Sequence, residues 1–215
     1  MSDSDDDPPQ LSAAALAALQ EFYMEQADEE KKLQEAQSGK IKDFTPKENW
    51  QLSQFWYDDT TATRLADEAL RVAGSSGRIA CVSSPTLYRK LRDICPDTCT
   101  VKCLEFDERF QMFGEDFQFY DYREPLKLPA DWKNSFDIVM VDPPFLNEDC
   151  LCKTAISVRF LAKDKIILCT GAVMEKAAKK LLDLEVCVFQ PRHSNALQNE
   201  FRCFTNYKSE LLEKS

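Results

Sequence analysis

Positive charge is in short supply in this chain. Its 37 Asp and Glu outnumber 27 Lys and Arg, for a net charge of −10 over 215 residues. Proteins that grip duplex nucleic acid neutralise phosphates with Lys and Arg. The balance therefore argues against nucleic acid and toward a basic protein partner. The excess is uneven: residues 1–40 hold 10 acids against 3 bases, and the remainder 27 against 24. Histidine is almost missing. His193 alone leaves few routes to His-based acid–base catalysis. No apolar run approaches the ~20 residues of a membrane span, so no membrane is expected. The acidic start, with Asp3, Asp5, Asp6 and Asp7, has the wrong sign for a secretory or transit segment and points to the cytoplasm.

Cysteine is plentiful at nine, but a zinc-like spacing is absent. Cys81, Cys103, Cys169, Cys187 and Cys203 lie in apolar strand-like runs, where cysteine acts as a small hydrophobe. Cys95, Cys99, Cys150 and Cys152 make no paired ligand set. The expectation is nine reduced thiols and no metal. Glycine is scarce at five. A glycine-rich loop usually follows the first strand of a nucleotide-binding unit, yet here that loop is Ser83-Ser84-Pro85.

The patterning predicts three segments. Residues 1–10, rich in acid and proline, read as a disordered tail. Residues 11–46 read as an N-terminal helix, capped by Ser12, and a linker. Residues 47–215 read as one α/β domain. Strands are expected over 78–82, 101–107, 117–122, 136–141 and 165–170, with helices over 61–72, 86–94, 147–161 and 173–182 between or before them. Two last strands, over 185–190 and 200–207, follow without a long helix between them. Alternation predicts a parallel sheet with helices on both faces, and the closing pair makes one strand antiparallel.

The central strand carries the chemistry. Its run Phe136-Asp137-Ile138-Val139-Met140-Val141 reads as buried on both faces. It stops at Asp142-Pro143-Pro144-Phe145, because neither proline can donate to a ladder. Open α/β sheets bind ligands at that edge. The Asp142 carboxylate and the Pro143 carbonyl can accept N–H bonds and orient an amine. Phe145 can lie against a flat base or a cation. Glu105 and Asp107 end the second strand about 20 residues past the first loop, the place for an acid that accepts ribose hydroxyls. Either could serve.

Asp-Pro-Pro-Phe after such a strand resembles amino-group methyltransferases that use S-adenosylmethionine. Five stretches narrow the resemblance: residues 48–57 (Glu-Asn-Trp-Gln-Leu-Ser-Gln-Phe-Trp-Tyr), 77–83, 119–122, 142–145 and 199–203 (Asn-Glu-Phe-Arg-Cys). Together they identify the chain as similar to the eukaryotic elongation factor 1-alpha lysine methyltransferase 1 family, whose members were first labelled N6-adenine-specific DNA methyltransferases. The resemblance implies a seven-stranded class I (Rossmann-like) S-adenosylmethionine-dependent methyltransferase sheet preceded by a helix. It implies S-adenosylmethionine as cofactor and transfer to a lysine of translation elongation factor 1-alpha in the cytoplasm. For catalysis it points to Asp142, Pro143, Pro144 and Phe145. For the cofactor it points to Gln54, Phe55, Trp56, Tyr57, Thr60, Ser83, Ser84, Glu105, Phe106, Asp107, Asp121, Tyr122 and Asp142. Transfer to adenine in DNA or RNA is the alternative, and a non-catalytic subunit with the same fold is a third reading.

Overall fold

The computed structural model describes residues 11–41, 44–195 and 197–214. The expected disordered tail over 1–10 lies outside them. The chain divides into two compact units, Met1–Pro46 and Lys47–Ser215. The first holds helix α1, Ala13–Gln37, whose N-cap Ser12 accepts a hydrogen bond from the Ala15 N–H.

In the second unit, α2 (Asp59–Ala73) leads into β1 (Arg78–Val82). There follow α3 (Pro85–Ile94), β2 (Thr100–Glu105), β3 (Phe117–Phe119), β4 (Phe136–Val141), α4 (Glu148–Leu161), β5 (Ala162–Gly171), α5 (Glu175–Leu182), β6 (Glu185–Val186) and β7 (Phe201–Thr205). The seven strands run in the order β3-β2-β1-β4-β5-β7-β6. Only β7 runs against its neighbours β5 and β6; the other pairings are parallel. β1 and β4 lie side by side at the centre, with Cys81 opposite Met140 and Val82 opposite Val141. The order reverses between them, and there such a sheet opens a crevice beyond its carboxyl edge.

Strand alternation divides the core in two. Ile79, Cys81, Ile138 and Met140 pack with Leu65, Ala69 and Leu91 of α2 and α3. Ala80, Val82, Val139 and Val141 pack with Leu151, Val158 and Ala178 of α4 and α5. Central strands buried on both faces explain the near-continuous apolar runs.

Several strand ends differ from the sequence expectation: β2 stops at Glu105 and β7 at Thr205, each two residues short, and three others have a visible cause. β3 stops at Phe119, because Asp121 folds back to accept from the Arg123 N–H (2.9 Å) and makes a turn. β6 stops at Val186, and Phe189 instead bonds to the Leu212 carbonyl (2.9 Å) while its ring enters the core. β5 begins three residues early, with a register shift against β4 between Phe136 and Ile138; this bulge lets Lys163 pair with Asp137 at 2.7 Å.

One glycine is required by space. A Cβ at Gly77, just before β1, would sit 2.2 Å from the Ala73 carbonyl oxygen. Gly77→Ala is therefore expected to destabilise the domain by about 1–3 kcal/mol. The exposed Leu126→Ala should stay within about 0.5 kcal/mol. Thermal unfolding of both variants measures the contrast.

Candidate active site

The carboxyl ends of β1, β2 and β4 converge on one cavity of about 570 Å³. After β1 the chain turns at Ser83, which takes a left-handed φ of 53°. This is the backbone that a glycine would adopt without strain; serine bears a cost of roughly 1–2 kcal/mol. The turn is held by the Ser83 N–H on the Leu104 carbonyl at 2.8 Å. Ser84 then caps α3 without using its side chain. Its hydroxyl is buried, belongs to a residue that lines the cavity and has no protein partner, so it is open to a hydrogen bond from whatever fills the cavity, water included. The glycine-free loop therefore makes, with Ser83, the left-handed turn that a glycine would take.

At the end of β2, the Glu105 carboxylate lines the cavity and Asp107 does not. Glu105 Oε1 accepts from the Phe106 and Asp107 N–H groups (3.1 and 3.2 Å) and from Gln54 Nε2 (3.2 Å). Asp107 is occupied by the Arg109 guanidinium, at 2.7 Å from Nη2, and by Gln54 Nε2 at 3.1 Å. The choice left open by the sequence falls on Glu105 as the acid facing the crevice, with Asp107 bracing the loop behind it. Burial pushes the Glu105 carboxyl up to about 7, and the neighbouring Asp107 charge adds to this, while its hydrogen bonds oppose it.

At the end of β4, the Asp142 N–H continues the ladder to the Val82 carbonyl at 3.1 Å. The Asp142 side chain accepts the Tyr57 hydroxyl on Oδ2 at 2.5 Å. Burial pushes Asp142 up to about 7, opposed by that hydrogen bond and helped by the Glu105 charge. Burial and the Asp142 charge hold the Tyr57 hydroxyl well above its ordinary range, so it stays the donor. Pro143, Pro144 and Phe145 line the cavity beyond, and Phe145 meets the Tyr122 ring edge-on at 5.9 Å. Arg123, paired with Asp121 at 2.7 Å, lies 5.7 Å over the Phe106 ring.

Along residues 54–57 the side chains alternate in direction. Gln54 reaches Glu105, and Trp56 packs on Phe110. Phe55 and Tyr57 turn the other way, toward His193. All four line the cavity, as do Ser83, Ser84, Phe106, Asp121 and Tyr122. Thr60 does not: it is exposed in the first turn of α2. The sequence reading missed Phe201 and Arg123 as cavity residues; it left His193 and Asn199 open between an acceptor pocket and ordinary loop polarity, and both line the cavity. Among the described residues, no group of three or more His, Cys, Asp or Glu is placed to hold a metal ion.

The family model described as "Probable N6-adenine methyltransferase" matches residues 48–209. EEF1A lysine methyltransferase 1 of Homo sapiens is 52% identical over 213 residues, covering 98% of both chains. The chain belongs to that family. A Saccharomyces cerevisiae protein-lysine N-methyltransferase is 39% identical, over 92% of both chains. A Pyrococcus horikoshii structure, provisionally described as an RNA methyltransferase, shares the fold with a TM-score of 0.51 at 17% identity, over 81% of this chain and 96% of that one. This member of the family is thus an enzyme, a methyltransferase with a class I sheet.

The two raised carboxyls set a pH dependence. A carboxyl whose folded value exceeds its unfolded value stabilises the folded chain below the unfolded value, and the contribution is lost as pH rises through the folded one. Ligand-free stability is expected to fall between about pH 4 and 7 and then level off. Glu105, lifted from 4.5 to about 7, accounts for roughly 3 kcal/mol of that fall. Glu105→Gln should flatten the profile; a slope in thermal unfolding unchanged by the substitution would place the titration elsewhere.

Proposed function

We propose that the chain transfers methyl groups from S-adenosylmethionine to a lysine of translation elongation factor 1-alpha, in the cytoplasm. The observation that carries it is the Asp142 carboxylate at the cavity edge, anchored by Tyr57 through one oxygen. The other oxygen is left to accept an N–H from an amine.

The residues present fit the cofactor. Glu105 is a buried acid at the strand end suited to paired ribose hydroxyls. The unpartnered Ser84 hydroxyl offers a hydrogen bond at the α3 N-terminus. Phe106 and Tyr122 offer ring faces for adenine. When bound, S-adenosylmethionine supplies an electrophilic methyl on a sulfonium.

The chain's own part is to prepare the nitrogen. A lysine is ~3 pH units from neutrality at pH 7.4, a cost of ~4 kcal/mol. Asp142 Oδ1 and the Pro143 carbonyl accept N–H bonds and turn the lone pair away from themselves. Asp142, raised to about 7 by burial, can take the ammonium proton far more readily than an ordinary carboxyl. Phe145 covers the stem of the acceptor.

Adenine is the competing acceptor, favoured by the family model's description and disfavoured by the net charge of −10. Incubation with labelled cofactor plus elongation factor 1-alpha, DNA or RNA separates them. Label is expected in a lysine of the protein; label in nucleic acid overturns the reading. Asp142→Ala should lose more than ~100-fold in transfer rate and keep its cofactor affinity within about threefold.

A further inference from the structure

We infer that Trp50, Phe55, His193 and Phe201 form the acceptor channel of this enzyme, and that the channel takes an extended alkylammonium side chain presented by a protein. The inference rests on the lysine reading and adds the residues that admit the substrate.

The channel is assembled from two distant parts of the domain. The Asp58 N–H bonds to the Arg192 carbonyl (3.0 Å) and the Ser194 N–H to the Trp56 carbonyl (2.8 Å). One carboxylate spans the seam: Glu48 accepts from the Trp56 N–H at 2.8 Å and from Asn195 Nδ2 at 2.6 Å. This pairing brings His193 against Tyr57, with ring centroids 5.0 Å apart.

The rings then form a continuous series from solvent to the carboxylate. Trp50, 69% exposed, meets Phe55 at 5.7 Å. Phe55 meets His193 edge-on at 6.5 Å, and His193 also meets Phe201 at 4.6 Å. His193 leads to Tyr57, 4% exposed, whose hydroxyl ends on Asp142. Phe55, His193 and Phe201 all line the cavity.

This geometry suits one kind of acceptor. Ring faces attract a cation and pack along a methylene stem. Burial lowers the His193 imidazole below its ordinary value, so at neutral pH it is an uncharged ring that does not repel an ammonium. A wall of rings also strips water from the ammonium, which lowers its pKa and eases its deprotonation at Asp142. The alternation of residues 54–57 divides the segment by task. Gln54 serves the Glu105 side, while Phe55 and Tyr57 serve the acceptor side.

The test uses the full chain and labelled transfer to elongation factor 1-alpha, with cofactor affinity measured by calorimetry. Trp50→Ala, at an exposed position, is expected to lower kcat/KM for the protein about 5- to 20-fold through KM. His193→Ala should lower it by more than about 10-fold, and His193→Phe should recover it to within about threefold, with cofactor Kd within about twofold throughout. Unchanged kcat/KM in Trp50→Ala and His193→Ala would overturn the channel. So would cofactor affinity falling in step with activity, which would give these rings to the nucleoside. Failure of the lysine reading itself is seen separately, as wild-type label in nucleic acid.

Discussion

The hydrogen bond from Tyr57 to Asp142 is the constraint on which the site depends. A carboxylate placed at the end of a central strand, between two prolines and a packed sheet, is costly without a partner. Its partner comes from 85 residues earlier in the chain. To deliver that hydroxyl, residues 54–58 must cross the sheet's carboxyl edge after the 3-10 turn of Trp50–Leu52. Once there, they need backbone partners of their own, and the β6–β7 loop supplies them through Arg192 and Ser194. The cavity is therefore closed by segments from both ends of the domain, and it exists only when the whole sheet has formed.

The same arrangement sets two acids against the stability of the fold. Glu105 and Asp142 both face the cavity and both rise to about 7, and the charge on Glu105 contributes to the rise at Asp142. Ser83 adds a left-handed backbone without glycine. Each feature is unfavourable in the ligand-free chain, and each is aimed into one crevice. Such a concentration of unfavourable groups is what a binding site looks like when stability is sacrificed locally.

The core of this fold was legible because burial on both faces leaves a plain trace. β1 was readable from end to end, and β4 was readable together with the stop after it, since Pro143 and Pro144 terminate any ladder. Where boundaries slipped, a side chain or a bulge had settled the matter: Asp121 bending back to Arg123, or the extra residue that starts β5 early. Serine after β1 looked wrong by composition, yet its backbone takes the turn that glycine would. Contacts across the seam left no local signal. His193 stands in a polar loop with nothing around it to suggest an aromatic stack, and its neighbours Tyr57 and Phe201 lie on separate elements. The acid pair at the end of β2 was legible as a pair, but which member faces the crevice depends on Arg109 capturing Asp107.

Asp142 carries a conflict between its two tasks. A carboxylate attracts an ammonium and so holds the acceptor in its unreactive form. The size of the conflict depends on the carboxyl's own pKa. Against an ordinary Asp at 3.8, a lysine at ~10.4 yields its proton uphill by ~6.6 pH units, or ~9 kcal/mol. Against Asp142 at about 7, the gap shrinks to ~3.4 units, or ~5 kcal/mol. Burial of the carboxyl thus removes nearly half of the barrier to neutralising the amine without removing the acceptor that orients it. What remains must come from the lysine side, and loss of hydration along the rings that lead in from Trp50 acts in that direction. Both halves of the problem are met by the same physical means, a dry environment that disfavours charge on the acid and on the amine together.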